Sequence, residues 1–191
     1  MTAFPALSLF EPEPVPGLSY RPDVMTPAEE QALLAEIDDR PWLMDIKRRR
    51  QWYGKSYYDS DKGEARDLPP VIRSWAARLT EEGYFRDVPD RAGVNEYYPG
   101  QGIGAHSDRL PEIIETVAIL SLGSAIALEF SRDGHETRDY YLQPRSLVFM
   151  EGEARFDWKH RIAPRHKDRV GGLLLPRARR VSVTLRGRKS I

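Results

Sequence analysis

After Gly93 the apolar residues stop following a helical spacing and fall into short alternating runs, and this limits the fold more than any other feature of the chain. The runs are VNEYY, TVAILSLG, IALEFS, DYYLQ, SLVFM, RFDWKH and RVSVTLRG, with Gly, Pro and Asp turns between them. About seven strands following two helices predict an α+β domain, a distorted jelly roll backed by helices. A binding-only sandwich would have the same outline, so the fold alone does not decide function.

The helices precede the switch. Thr26 is a good N-cap, Pro27 suits the first helical position and Glu29 completes a capping box. Leu33, Leu34 and Ile37 give that helix its apolar face, and Pro41 ends it. A second helix is predicted from about Pro70 to Glu82. Leu68, Val71, Ile72, Trp75, Ala76 and Leu79 form one stripe, and Gly83 is the stop. Residues 1–19, with Pro5, Pro12, Pro14 and Pro16, read as an extended arm, leaving 20–191 as one domain.

Cysteine is absent, which rules out disulfides, thiolate metal sites and a Cys nucleophile. Any metal must be held by nitrogen and oxygen. Lys+Arg and Asp+Glu balance at 29 each, which excludes a uniformly basic nucleic-acid coat but not local patches. There is no run of roughly 18 apolar residues and no basic-then-apolar leader. A cytoplasmic monomer without membrane contact is the expectation.

His106-Ser107-Asp108 is the first chemical signal. In extended chain, residues i and i+2 share a face, so an imidazole and a carboxylate would project together. Taken alone, the pattern also fits a surface His beside a turn. His160 lies beyond several strands, and a jelly roll can return it to the same mouth. Two His and one carboxylate form the facial set of non-haem Fe(II) oxygenases. His135, in RDGHE, and His166, in RHKDR, are poorer ligands by context.

The last run supplies the second signal. Val181, Val183 and Leu185 fall on one face, and Arg180, Ser182, Thr184 and Arg186 on the other. A solvated edge strand would read the same way. If the polar face lines the barrel, its arginines require anions, and a dicarboxylate fits. Asn95 and Tyr97 alternate likewise before the turn at Pro99-Gly100.

These pieces together resemble the AlkB family. The stretch from Asn95 and Tyr97 through Gly100 to His106 and Asp108 is similar to its metal-binding segment. Ser121-Leu122-Gly123, the residues around Arg155, Trp158, His160 and Ile162, and the closing Arg180 to Arg186 follow in order. The resemblance implies a double-stranded β-helix over 93–187. It also implies an Fe(II)- and 2-oxoglutarate-dependent dioxygenase with His106, Asp108 and His160 on the metal. Asn95, Tyr97, Arg180, Ser182 and Arg186 would hold 2-oxoglutarate, with Arg180 on its distal carboxylate. In such an enzyme O2 is consumed, a ferryl oxygen hydroxylates an N-alkyl carbon, and an aldehyde leaves the repaired base. Three positions depart from the family: Ser182 stands where Asn is common, Leu110 stands where a base-contacting acid is usual, and Arg161 follows the second His in place of a small residue.

The segment 20–92 would carry the nucleotide-recognition lid. Lys47, Arg48, Arg49 and Arg50 run into Gln51, Trp52 and Tyr53, with Tyr57 beyond. Basic residues interleaved with aromatics suit a flipped base, and also suit a basic turn beside core aromatics. Arg49, Arg50, Trp52, Tyr53, Tyr57 and Arg161 are the substrate candidates. The function expected is demethylation of 1-methyladenine- or 3-methylcytosine-type bases in DNA or RNA. The alternative is the same oxygenase chemistry on a tRNA, a protein or a small molecule.

Overall fold

The computed structural model describes residues 15–54, 66–108 and 115–188. Two helices and most of the strands occupy the expected stretches. The first helix, α1 (Pro27–Asp38), has the capping box: Glu29 N donates to Thr26 Oγ1 and Thr26 N donates to Glu29 Oε2. The second, α2 (Pro70–Glu81), follows Pro69, which offers no capping side chain. The carboxylate of Glu36 on α1 takes over, accepting from Val71 N and Ile72 N at 3.0 and 3.2 Å. Gly83 closes this helix at φ +85°, a conformation costly for other residues.

Strands β1 (Leu18–Arg21), β8 (Ser146–Met150), β5 (Thr116–Gly123), β12 (Arg180–Gly187), β3 (Ala92–Tyr97) and β2 (Arg50–Tyr53) form one antiparallel sheet in that order. A smaller sheet has the order β4 (Ile103–His106), β9 (Lys159–Ile162), β6 (Ile126–Ser131), β7 (Arg138–Leu142). A hairpin of β10 (Lys167–Val170) and β11 (Leu173–Pro176) stands apart from both.

Alternation divides the core. Ala118, Leu120 and Leu122 of β5, and Val181, Val183 and Leu185 of β12, pack with Leu33, Ile37, Ile72, Trp75 and Leu79 beneath the helices. Val117 and Ile119 of β5 lie in a second cluster with Leu128, Phe130 and Ile162 of the small sheet. Each central strand therefore sends one row to the helices and one between the sheets. This is the double-stranded β-helix backed by helices that the strand pattern and the resemblance implied.

Several boundaries differ from the sequence expectation. RFDWKH is not one strand: a short helix, α3 (Gly152–Phe156), takes its first residues and β9 begins at Lys159. β1, β2, β4, β10 and β11 had gone unread, because four residues carry too little alternation to register. Val15 is buried and β1 pairs with β8, so the C-terminal end of the expected arm belongs to the barrel. The stretch read as the start of a lid is β2, an edge strand paired to β3. Among the described residues no helix is long and apolar enough to cross a membrane.

Removing the capping hydroxyl with Thr26→Ala should cost about 1 kcal/mol. For a domain of this size that lowers Tm by roughly 2–4 °C. Thermal melts of the two proteins check it, and an unchanged Tm would refute the cap's role.

Candidate active site

The site lies between the sheets and is built by their inward rows. β4 and β9 pair at Ile103 with Ile162 and at His106 with His160, with a register shift between these pairs. The shift leaves Gly104 and Ala105 without register partners and sets His106 level with His160. The two imidazole centroids are 4.4 Å apart. Asp108, two residues past the end of β4, reaches the same cavity of about 210 Å³.

The nitrogens of the His106 ring can be assigned. His106 Nδ1 lies 2.8 Å from Gly104 O, and a carbonyl only accepts, so Nδ1 carries the proton. Nε2 is then the nitrogen that would face a metal, the usual arrangement for a metal-binding imidazole. Burial depresses the His160 pKa to about 4 against the pull of Asp108, so its ring is neutral at physiological pH. The buried Nδ1 of His160 has no hydrogen-bond partner. Burial works against the Asp108 carboxylate, yet Arg186 and His160 hold its pKa below the ordinary carboxylate value. Arg186 Nη2 donates to Asp108 Oδ1 at 3.2 Å, and its guanidinium lies 5.3 Å from the Trp52 ring centre. Gly93 makes room for that stack, since a Cβ there would lie 2.9 Å from Trp52.

Two neutral imidazoles and one carboxylate are the donors that Fe(II) takes in a facial set. Among the described residues no three His, Cys, Asp or Glu side chains close into a metal cage. Here the carboxylate is engaged by Arg186. The chemistry of the donors fits the metal, and a bound Fe(II) would have to share the Asp108 carboxylate with Arg186.

At the other end of the cavity is Arg180, 2% exposed. Its Nη2 donates to Ser121 Oγ at 3.0 Å and its guanidinium lies 5.6 Å from the Tyr97 ring centre, but its Nε has no partner. Among the described residues no carboxylate pairs with it, and burial lowers its pKa to about 10. Asn95, Ser182 and Thr184 line the wall between the two ends. The inward placement expected for β12's polar row is thus observed, and the row is not a solvated edge.

The substrate candidates separate by parity. Trp52 and Arg50 face the cavity, although Arg50 is also paired with Asp45 at 2.5 Å. Arg49 faces the opposite side, bound to Glu96 and stacked on Trp42. Tyr53 is a core residue beneath the helices, donating to Gln51 Oε1 at 2.9 Å. Neither belongs to the site, because β2 alternates and they sit on its other face. Arg161 points away from the cavity into a neighbouring groove and pairs with Glu129 at 2.5 Å. Tyr57 and Leu110 lie outside the described residues. Arg48 had been passed over. Its Nε donates to Asn95 Oδ1 at 3.0 Å and its guanidinium lies 5.7 Å from the Tyr97 ring centre. The period-two spacing of Arg48, Arg50 and Trp52 would have found it. His135 packs near Trp158, and neither it nor His166 lines the cavity.

Residues 26–186 match the model of the 2OG-Fe(II) oxygenase superfamily. The chain is 34% identical over 168 residues to the mouse (Mus musculus) tRNA (carboxymethyluridine(34)-5-O)-methyltransferase ALKBH8, spanning 81% of this chain but only 25% of that one. It is 34% identical over 202 residues to the Arabidopsis thaliana alkylated DNA repair protein ALKBH8 homolog, covering 90% of this chain and 58% of that protein. The structure of OsALKBH1 superposes with a TM-score of 0.63 at 15% identity, covering 90% of this chain and 98% of that one, and so shares the fold.

Arg180→Met should abolish stabilisation by 2-oxoglutarate without lowering the Tm of the ligand-free chain, since it removes a buried charge that lacks an anion. Melts with and without 2-oxoglutarate check this; a retained ligand shift would refute it. His160→Ala should lose Fe(II) or Mn(II) uptake in a metal titration, and normal uptake would overturn the ligand set. In the metal-free chain His160 resists protonation until about pH 4, whereas an unfolded His protonates near 6.5. Between those values the unfolded state holds the extra proton, so stability present above pH 6.5 is lost as pH falls toward 4. His160→Gln should flatten the fall of Tm across that window.

Proposed function

This chain belongs to the 2OG-Fe(II) oxygenase superfamily as an AlkB-like dioxygenase, and from that premise we propose that it oxidatively demethylates N-alkylated bases in DNA or RNA. Fe(II) and 2-oxoglutarate, when bound, supply the oxidising chemistry: O2 and the oxo-acid are consumed, succinate and CO2 form, and an N-alkyl C–H bond becomes C–OH. The hydroxylated alkyl group then leaves as an aldehyde and returns the unmodified base.

The chain's own residues prepare that reaction. His106, Asp108 and His160 would hold the metal, with Arg186 positioning the carboxylate. Arg180, with Tyr97 and Ser121 beside it, would take the distal carboxylate of 2-oxoglutarate, and Asn95 and Ser182 its remaining oxygens. Ile103, Leu128 and Ile162 exclude water around the metal end. Arg180 is the observation that carries the cosubstrate reading: a buried guanidinium with no carboxylate partner among the described residues, in the same cavity as the imidazoles of His106 and His160. The base would enter beside Trp52 and Arg50.

The Arabidopsis relative's name supports an alkylated nucleic acid as substrate. A second reading, oxidation of a base in tRNA, is favoured by the mouse relative, of which this chain matches one quarter. A panel of methylated single- and double-stranded DNA, RNA and tRNA, incubated with the Fe(II)-loaded enzyme and read by mass spectrometry, distinguishes them. Loss of about 14 mass units from 1-methyladenine or 3-methylcytosine, one methyl replaced by hydrogen, is the expected result. A gain of oxygen on tRNA alone would favour the second reading. No change on any nucleic acid would move the chemistry to a protein or small molecule.

A further inference from the structure

Beside the catalytic cavity lies a second one of about 380 Å³ that shares Arg48, Ile103 and Ile162 with it as a common wall. Small groups line much of it: Gly102, Gly104, Ala105 and Ala163. Gly104 opens onto free space, since a Cβ there would meet nothing within 4 Å. The charged side chains along it are Lys47, Arg48 and Arg161, and no acidic residue lines it among the described residues.

The fate of each cation decides what the groove can take. In the run 47–50, Arg49 is held by Glu96 and Arg50 by Asp45. Lys47 and Arg48 have no carboxylate partner among the described residues. Lys47 O accepts from Gln101 Nε2 at 2.8 Å, which anchors its backbone against the turn before β4. Arg48 is fixed by Asn95. On the other side, Arg161 and Arg165 share the carboxylate of Glu129, each at 2.5 Å. Asp139, opposite Glu129 on β7, has its pKa raised by burial and by Glu129. Arg161 and Arg165 are thus tied to a carboxylate, whereas the groove's cations without a carboxylate partner among the described residues are Lys47 and Arg48.

A groove with small walls, two cations without a carboxylate partner among the described residues and a shared wall with the catalytic cavity suits a phosphate rather than a base. Small residues allow a chain to approach the backbone closely, and lysine and arginine are the usual partners of phosphate oxygens. Resting on the nucleic-acid reading above, we propose that this groove binds the phosphodiester next to the nucleotide in the catalytic cavity, with Lys47 and Arg48 as its contacts. Arg48 then touches both the strand and, through Asn95, the cosubstrate wall.

The test is fluorescence anisotropy with the full chain, metal-loaded with Mn(II), and labelled single-stranded DNA and RNA containing one 1-methyladenine. Lys47→Gln should weaken binding roughly 3–10-fold and reduce the slope of log K against log salt by about one. Gly104→Leu, which fills the groove without removing charge, should weaken it about tenfold, on the scale of an obstructed contact. A neutral methylphosphonate beside the modified nucleotide should weaken binding to the wild type and have little further effect on Lys47→Gln. Melting temperature and a 2-oxoglutarate titration followed by tryptophan fluorescence show that each variant is folded. Lys47 is exposed, so its variant keeps the test open if Gly104→Leu is unstable. Variants that bind like the wild type with unchanged salt slope overturn the groove and leave the nucleic-acid reading intact. A wild type that binds neither strand removes both. An acidic peptide that competes as well as the oligonucleotide overturns the phosphate assignment.

Discussion

Arg180 carries a guanidinium that is 2% exposed and has no carboxylate partner among the described residues. Leaving such a charge uncompensated is expensive, and chains keep such groups where a ligand completes them. The neighbouring residue shows the contrast. Arg179 binds Glu96 and Asp38, and these partners raise its pKa above the ordinary arginine value. Burial instead lowers that of Arg180. Two adjacent arginines have opposite fates because successive residues of an extended chain face opposite sides. One ties the start of β12 to β3 and to the end of α1. The other waits inside the barrel.

The same division governs β2 and its approach. Arg49, Gln51 and Tyr53 turn toward the helices: Arg49 to Glu96, Gln51 Nε2 to Ile37 O at 2.7 Å, Tyr53 into the core. Arg48, Arg50 and Trp52 turn toward the cavity. Glu96 thus acts as a clamp, receiving Arg49 from one flanking segment and Arg179 from the other. The inward groups are held in place from outside. Precision at the metal and cosubstrate ends depends on that support, because a loosely held first layer of contacts loses its geometry.

Much of this was legible in the sequence. The switch after Gly93 gave the barrel, Thr26 with Glu29 gave the first helix, and the alternation from Arg180 to Arg186 gave the lining of the site. His106 and Asp108 were visible as a pair, whereas His160 rested on family resemblance because nothing local marks a residue opposite His106 on another strand. The substrate side was read least well. KRRRQWY was taken as one patch, and only knowledge that it is a strand assigns alternate members to opposite faces. Glu36 capping α2 and Glu30, which accepts from Gly123 N at 2.8 Å and pairs with Arg145, were invisible for a related reason. Both are charged helix residues whose partners lie far away in sequence.

A net charge of zero can be set against a polyanionic substrate, but the spatial distribution answers that objection. Acids pair with most of the other cations: on the outer side Glu96 and Asp38 with Arg49 and Arg179 and Glu129 with Arg161 and Arg165, and at the cavity Asp45 with Arg50. Inside, Arg48, Arg180 and Arg186 face Asp108, the one carboxylate lining the cavity among the described residues, with His160 neutral. The cavity is therefore cationic before any metal binds. Fe(II) would add two positive charges and 2-oxoglutarate would remove two, so the surplus survives the loading of the enzyme. It lies toward Arg48, where the cavity meets the second groove, and low dielectric there strengthens its pull on an anion. The overall neutrality of the chain includes ion pairs that hold the barrel together; among the described residues the cavity lining keeps a positive surplus.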